Sequence, residues 1–244
     1  MFKIENIEPQ FGRVKGASWF PLLYKKDVLV LGQGGIGSWT ALLLSRIGCS
    51  LHLFDMDTYE IHNMTGQVVK SSAIGHNKAE AMAEVIADFS PTCEVLDYPQ
   101  RYNEDSFTGE IVICGFDNMV ARKIAFQKWK KYVEELKERG QSGKDCFFQD
   151  GRLLAEHLQI FSIPGDDVER MEKYEKEWLF DDKEVEEAEC TFKQTSHCAA
   201  MIASHMVGFL TNWVSNVEFE NKGLPPLRQV PFMYEYLVPA NLVT

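Results

Sequence analysis

Short apolar runs alternate with amphipathic stretches along the first half of the chain. Residues 27–32 (DVLVLG) are dense in Val and Leu, which is typical of a buried strand. Residues 36–48 then follow a helical period and end at a glycine, and residues 50–55 (SLHLFD) form a second apolar run. This order predicts a βαβ unit with two parallel strands.

The same alternation continues to the end of the chain. Further predicted elements are helices over residues 77–90, 118–140 and 198–214, and strands over 93–98, 110–116 and 230–238. Asn77 can cap the first of these helices, and Pro91 follows its end. Residues 145–164 are typical of two tightly joined strands, so the sheet becomes mixed there. We therefore expect an α/β fold: a Rossmann-like, doubly wound sheet, mostly parallel, with antiparallel C-terminal strands.

Composition narrows the class of protein. The 244 residues are 45% hydrophobic, enough for the core of one domain but not for two large ones. The net charge of −11 argues against nucleic acid as a partner, because phosphate backbones need basic surfaces. The sequence has neither a run of about 20 apolar residues nor a secretory signal at its start, so we expect a cytoplasmic protein without membrane contact.

Much of the acidity lies in residues 165–189, where charges at helical spacing favour a solvated helix or a mobile crossing loop. The six cysteines contain no CxxC pair, so we expect no zinc site of the usual spacing. Free thiols that pack as small apolar residues are the expected state of most of them.

The first candidate for chemistry is the sequence GQGGIG at residues 32–37. Gly32, Gly34 and Gly37 permit a tight turn from strand to helix and let a phosphate approach the backbone. The free N–H groups of the helix that begins here can bind an anion. Asp55 lies 23 residues after Gly32, where a carboxylate can accept hydrogen bonds from ribose hydroxyls. These features suit ATP and NAD equally, and Asp57 can instead be a solvated strand-end aspartate.

The residues that follow make the sequence more specific. After FDMD come HNMTGQ, GHNK and FDNMVAR in the same order as the motifs GxGGxG, DxD, NLxRQ, GxxK and DNxxxR. Over residues 28–122 this succession resembles the ThiF/MoeB/HesA family, whose relatives include the ubiquitin-activating enzymes, and a weaker match continues to the last helix. The matching residues are Gly32, Gly34, Gly35, Gly37, Asp55, Asp57, Asn63, Gln67, Gly75, Lys78, Asp117, Asn118 and Arg122.

The resemblance implies a role for each of these positions. The glycines would cradle the phosphates, Asp55 would hold the ribose, and Asn63, Gln67 and Lys78 would line the triphosphate. Asp117 would bind Mg²⁺, a hard cation that prefers carboxylate oxygen.

Three of these positions can also be ordinary structural residues. Lys78 can instead be a surface lysine of its helix. Asn118 can be a helix cap, alone or alongside a place in the cofactor site. Arg122 can simply pair with a nearby carboxylate.

One position departs from the family. Gly66 stands where NLxRQ has its arginine, which would stabilise charge on the transferring phosphates. Arg13, in QFGR, resembles the arginine that family members lend across a dimer interface and is a candidate catalytic residue. It can instead be an ordinary exposed arginine.

Another candidate for chemistry lies in the sequence AECTFKQTSHC, residues 188–198. Family members that form a thioester or persulfide carry their cysteine in a comparable crossing loop, which makes Cys190 a candidate nucleophile. Such a thiol reacts as thiolate, and Lys193 and His197 are candidate neighbours. A buried structural thiol is the alternative, and it is favoured for Cys198.

Taken together, the resemblance implies one adenylation domain over residues 1–244, with an N-terminal arm at 1–25 and a crossing segment at 165–189. It also implies a homodimer that uses ATP and Mg²⁺ to activate the C-terminal Gly-Gly of a small ubiquitin-like or sulfur-carrier protein. Two alternatives remain. One is an NAD-dependent oxidoreductase on the same fold, and the other is a catalytically weak scaffold, which Gly66 keeps open.

Overall fold

The computed structural model describes residues 7–180 and 195–238, together with the backbone of 242–243. In this part of the chain, eight strands form one sheet in the order β3-β2-β1-β4-β5-β6-β7-β8. The first five in chain order pair in parallel, and the last three run antiparallel to their neighbours. The strands are β1 (Asp27–Leu31), β2 (Ser50–Phe54), β3 (Val95–Tyr98), β4 (Ile111–Cys114), β5 (Phe147–Leu154), β6 (His157–Pro164), β7 (Met233–Leu237) and β8 (Leu242–Val243).

Helices follow most of the strands. They are α1 (Phe20–Leu23), α2 (Gly35–Ile47), α3 (Lys78–Phe89), α4 (Met119–Glu138), α5 (Val168–Glu177) and α6 (Ser196–Asn221). Short 3-10 helices span Pro9–Phe11, Ile61–Thr65, Ser71–Ala73 and Gly143–Asp145. Within the described residues, none of the helices is both long and apolar enough to cross a membrane.

The sheet is buried on both faces. Side chains alternate along β1, so Val28 and Val30 join one hydrophobic cluster while Leu29 and Leu31 join another. The first cluster packs against α2, α3 and α6, and the second against α4 and α5. Helices on both faces of a largely parallel sheet confirm the predicted doubly wound fold.

Most of the predicted elements are present, with differences at their ends. The hairpin predicted over residues 145–164 is formed by β5 and β6. Helix α6 continues to Asn221, beyond the predicted end at residue 214, because apolar residues such as Val217 still face the core. Helix α1 is absent from the prediction because a four-residue turn beginning Phe-Pro has no measurable period.

The acidic segment is partly helical. Asp167 caps α5 by accepting a hydrogen bond from the N–H of Arg170 at 3.0 Å. Met171 and Tyr174 on this helix are buried in the second cluster. The first half of the segment is therefore anchored to the sheet and is more than a solvated face. Residues 181–194 lie outside the described part of the chain.

The glycine at position 37 holds α2 against the end of β1. A Cβ added there would lie 1.7 Å from the carbonyl oxygen of Gly32, a distance at which the backbone must move. By contrast, a Cβ added to Gly208, inside α6, would meet nothing within 4 Å.

We predict that Gly37→Ala lowers the free energy of unfolding by at least about 3 kcal/mol, because its methyl group collides with backbone. Gly208→Ala is the matched control and should raise that free energy by about 0.4–1 kcal/mol, since alanine is the better helix former and the space is open. Chemical denaturation of both variants measures the two effects. Equal stability of the Gly37→Ala variant and the unmodified chain would contradict the packing described for this turn.

Candidate nucleotide site

The carboxyl ends of β1, β2 and β4 are bonded to one another. The N–H of Gly32 donates to the carbonyl of Phe54 at 2.8 Å, and the N–H of Gly115 donates to the carbonyl of Leu31 at 2.9 Å. Strand β1 lies between β2 and β4, so the chain leaves the sheet toward opposite sides at this point. Open α/β sheets bind ligands at such a switch point.

The glycine-rich turn spans this edge. Gly32 has φ +85°, a conformation that side chains rarely adopt, and a Cβ there would lie 3.2 Å from the carbonyl oxygen of Gly115. Gly34 precedes α2 without a capping side chain, and the space around its missing Cβ is open. Gly35 and Gly37 form the buried first turn of the helix. The first N–H groups of α2 follow directly after this open position, and free N–H groups at the start of a helix can bind a phosphate.

Asp55 is fixed by two backbone donors from this edge. Its Oδ2 accepts the N–H of Gln33 at 2.6 Å, and its Oδ1 accepts the N–H of Asp57 at 2.8 Å. Burial raises the pKa of Asp55, while these two bonds act in the opposite direction. A carboxylate has about four acceptor positions, so each oxygen keeps one for a hydroxyl of a ligand.

Lys78 is tied to the end of β2. Its N–H donates to the carbonyl of Asp57 at 2.9 Å, and its Nζ lies 3.5 Å from Asp57 Oδ2. The Lys78 side chain is only 12% exposed, against 57% for Asp57. The cation is therefore held close to the edge of the sheet, and the surface-lysine alternative does not describe it. Asp57 is largely solvated, as expected of an aspartate at a strand end.

The predicted cap at Asn77 is confirmed and extends to the strand ends. Its Oδ1 accepts the N–H of Ala79 at 2.8 Å, which begins α3. Its Nδ2 donates to the carbonyls of Asp55 and Asp57 at 3.0 and 3.1 Å. This side chain joins the start of α3 to the acidic end of β2, which sets the position of Lys78.

The segment that carries Asn63 and Gly66 is fastened to α2. Trp39 Nε1 donates to the carbonyl of Gly66 at 3.1 Å, and Ser38 Oγ accepts the N–H of Val68 at 3.0 Å. Asn63 Oδ1 accepts the N–H of Glu60 at 2.8 Å and so closes the first turn of the short helix Ile61–Thr65. Asn63 has a structural role here, whatever else it binds.

Gln67 presents a polar atom that needs a partner. Its Oε1 is buried and has no hydrogen bond within the described residues. An unsatisfied buried acceptor is unfavourable unless something fills it. A ligand hydroxyl can donate to this oxygen, and with the amide turned over the NH₂ group can donate to a phosphate oxygen.

Asp117 and Asn118 lie between β4 and α4. Asn118 Oδ1 accepts the N–H of Ala121 at 2.9 Å, so the predicted cap is confirmed. Its Nδ2 is 3.3 Å from Asp117 Oδ1. Asp117 is exposed at the start of α4, where its carboxylate is open to a cation. This arrangement is compatible with the predicted Mg²⁺ ligand.

A buried network of charged side chains holds the backbone between β4 and α4. Arg122 donates through Nη2 to the carbonyl of Phe116 and through Nη1 to Asp150, so its predicted pairing with a carboxylate is confirmed. Asp150 is fully buried and also accepts from Arg152 Nε at 2.7 Å and from Tyr174 at 2.8 Å. Burial, followed by the charge of Asp150, raises the pKa of Tyr174. The network fixes the backbone immediately before Asp117.

Asp150, Arg152 and Tyr174 are absent from the predicted site. Asp150 interrupts the apolar run CFFQDG, and a charge at that place was the available signal. Gln33 is also absent from the prediction; it is fully buried, and its N–H orients Asp55. A polar residue between the glycines of a turn gives little sign of that role.

The structure does not join Arg13 to the other predicted catalytic residues. Arg13 is exposed and follows the 3-10 helix Pro9–Phe11. Phe11 packs against Tyr24 and beside Gly48, at the amino end of β2, away from the glycine turn. Cys190 lies outside the described residues. His62 is exposed, with Nδ1 3.5 Å from Glu60.

We predict that Asp150→Ala lowers the free energy of unfolding by about 3–5 kcal/mol, because two largely buried guanidinium groups lose their carboxylate. The exposed Lys70–Asp88 pair provides the control, since Asp88→Ala should change stability by less than about 1 kcal/mol. Chemical denaturation gives both changes in stability from the midpoints, provided that the dependence on denaturant concentration is the same for each variant. If the Asp150 and Asp88 variants unfold alike, the network does not stabilise this edge of the sheet.

Comparison with known proteins agrees with this geometry. The chain is 36% identical over 105 residues to the Nedd8-activating enzyme E1 catalytic subunit of Drosophila melanogaster, which covers 41% of this chain and 23% of that protein. It is 32% identical over 145 residues to the tRNA threonylcarbamoyladenosine dehydratase of Haemophilus influenzae, covering 54% and 55%. The chain thus spans about a quarter to just over half of the length of these two relatives.

Its fold is similar to that of solved structures as well. A crystal structure of E. coli MccB with ATP superposes with a TM-score of 0.64 at 14% identity, covering 93% of this chain and 65% of that one. The model of the ThiF family matches residues 21–234, which include every candidate site residue except Arg13. The chain therefore belongs to the ThiF family.

Proposed function

We propose that this chain is an ATP-dependent adenylyltransferase that activates the C-terminal carboxylate of a small ubiquitin-like or sulfur-carrier protein. One observation carries the proposal. The strand ends at the switch point bear an open glycine turn, a fixed ribose acceptor at Asp55, a held cation at Lys78 and an exposed carboxylate at Asp117. These are the groups that a nucleoside triphosphate and its metal ion require.

ATP accounts for this set better than NAD does. The glycine turn and Asp55 suit both ligands. A lysine held at the sheet edge and an exposed carboxylate after β4 add a phosphate contact and a cation ligand. NAD, whose pyrophosphate links two riboses, does not require either of these groups. The solved structure of the similar protein MccB with ATP supports this choice.

The reaction that follows is transfer of AMP to a carboxylate. A carboxylate oxygen attacks the α-phosphorus of ATP, the bond to the bridging oxygen breaks, and pyrophosphate leaves. Asp117 would hold Mg²⁺, which neutralises phosphate charge when bound. Lys78 binds the phosphates as a point charge, and the first N–H groups of α2 orient them. Positioning and charge stabilisation are what the protein contributes.

A protein or peptide is the proposed substrate. The two sequence relatives are named for activating Nedd8 and for dehydrating a modified tRNA nucleoside. A net charge of −11 disfavours binding of RNA, which needs basic surface. An extended Gly-Gly tail would pass beneath the crossing segment after β6. In the second step that we propose, the thiolate of Cys190 attacks the carbonyl carbon of the acyl adenylate, the bond to the phosphate oxygen breaks, AMP leaves, and a thioester forms.

A second candidate function rests on Gly66. The position that would carry an arginine has no side chain here, so charge on the transferring phosphates loses one stabilising group. Either Arg13 of a second copy supplies it in a homodimer, or the chain binds nucleotide and partner without turnover. Pyrophosphate exchange in the presence of a substrate would exclude the scaffold.

We predict that the chain binds ATP·Mg²⁺ and that Lys78→Ala weakens this binding roughly tenfold or more, because a charge-assisted hydrogen bond contributes about 1.5–3 kcal/mol. Lys70→Ala removes a lysine that pairs with Asp88 at the far end of α3 and should bind as the unmodified chain does. Calorimetric titration with ATP·Mg²⁺ and with NADH separates the ligands. Binding of NADH in preference to ATP would refute the proposal.

We predict that Asp117→Ala abolishes ATP–pyrophosphate exchange, because the cation that neutralises the phosphates loses its ligand. Exchange is measured with small Gly-Gly-ending proteins encoded beside this chain as candidate substrates. Asp105→Ala, at an exposed aspartate of the loop before β4, is the control and should exchange normally. Unchanged exchange in the Asp117 variant would remove the proposed role of that residue.

A further inference from the structure

Three potential metal ligands meet where the β5–β6 hairpin reaches the start of α6. Glu156 lies in the two-residue turn of the hairpin, and His197 and Cys198 lie in the first turn of α6. One ligand atom from each residue lies within 4.8 Å of those of the other two. We propose that these three side chains bind a divalent transition-metal ion, with zinc as the favoured ion.

Packing between the hairpin and α6 brings the ligands together. A Cβ added to Gly151 on β5 would lie 2.6 Å from Met206 Sδ, so strand and helix are in close contact. The carbonyl of Glu156 accepts the N–H of Val238 at 3.0 Å, which fixes the backbone of the turn. Thr195 Oγ1 lies 3.3 Å from His197 Nε2 and restricts the imidazole. Both halves of the site are thus held by contacts that do not involve a metal.

The carboxylate of Glu156 has no competing partner within the described residues. The next residue along the chain, His157, does have a carboxylate partner, because its Nε2 lies 2.6 Å from Glu235 Oε1. No hydrogen bond or ion pair joins the Glu156 side chain to another described residue, although it lies close to a thiol and an imidazole. Cys198 is fully buried, whereas His197 is exposed, which leaves a path for an ion.

The donor set selects the kind of metal. A thiolate, an imidazole and a carboxylate suit zinc, whereas Mg²⁺ and Ca²⁺ prefer oxygen ligands alone. With metal–ligand bonds of about 2.0–2.3 Å, neighbouring ligands of a tetrahedral ion stand roughly 3.3–3.7 Å apart. Small side-chain rotations therefore close the site. One thiolate and one carboxylate balance the charge of Zn²⁺, and a water molecule completes the coordination.

This site differs from the zinc site that the sequence argues against. The usual zinc site uses CxxC pairs, which the sequence lacks and which place ligands close together in the sequence. Glu156 comes from a hairpin and the other two ligands from a helix that begins after the crossing segment. A bound ion would join the hairpin tip to the start of α6. It does not depend on the proposed adenylation.

Zinc titration of the metal-free chain tests the proposal. The chain is dialysed against a chelator and titrated with Zn²⁺ in competition with a chromophoric chelator, in a Cys190→Ser background that removes the other thiol near the start of α6 in the sequence. We expect one zinc per chain. Cys198→Ser and His197→Ala should each weaken binding by roughly tenfold or more.

Matched controls and a second probe complete the experiment. Cys93→Ser and His62→Ala alter a half-buried cysteine and an exposed histidine elsewhere and should leave zinc affinity unchanged. Co²⁺ should give a thiolate charge-transfer band that Cys198→Ser removes. If a Cys198 variant does not fold, Glu156→Gln at the half-buried turn provides the same test. Zinc should raise the melting temperature of the unmodified chain and should no longer raise that of the Glu156→Gln variant.

Three results would overturn the proposal. One is absence of zinc binding in the unmodified chain at stoichiometric concentration. Another is zinc binding that survives Cys198→Ser and His197→Ala unchanged. The third is loss of zinc in the Cys190→Ser background alone, which would move a ligand outside the three residues.

Discussion

The close approach of α2 to the carbonyl of Gly32 is the constraint on which the site depends. It requires glycine at position 37 and places the first turn of the helix against the end of β1. From there, Ser38 and Trp39 hold the segment around Gly66, and Gln33 orients Asp55. One backbone contact thus fixes the relative positions of the glycine turn, Asp55 and the segment around Gly66.

The local elements were predictable because each depends on a short stretch of chain. The apolar run of β1, the period of α2 and the caps at Asn77 and Asn118 are all visible in the sequence. The Asp150 network was not, because periodicity does not show which charges meet in the interior. The cluster at Glu156, His197 and Cys198 was missed for the same reason, since its members come from distant segments.

The candidate site shows how an acidic protein can carry a local positive charge. Lys78 has little exposure and, among the described residues, a single loose carboxylate contact, so its charge is available at the sheet edge. Asp57 remains largely in solvent, so in the function that we propose it can release the ammonium when phosphates bind. Arg122 is instead fully engaged with Asp150 and backbone, and its charge serves the fold. Net charge therefore describes the surface as a whole better than it describes this edge of the sheet.

The hydrogen bond from Trp39 to the carbonyl of Gly66 holds the backbone of this segment without using the side-chain position of residue 66. Because the indole bonds to the main chain, the segment keeps its place whether residue 66 carries a side chain or not. Gly66 has φ −134°, which residues other than glycine also adopt, so an arginine there would not require a different backbone conformation. In the function that we propose, position 66 is thus a point where turnover can be adjusted while nucleotide binding persists.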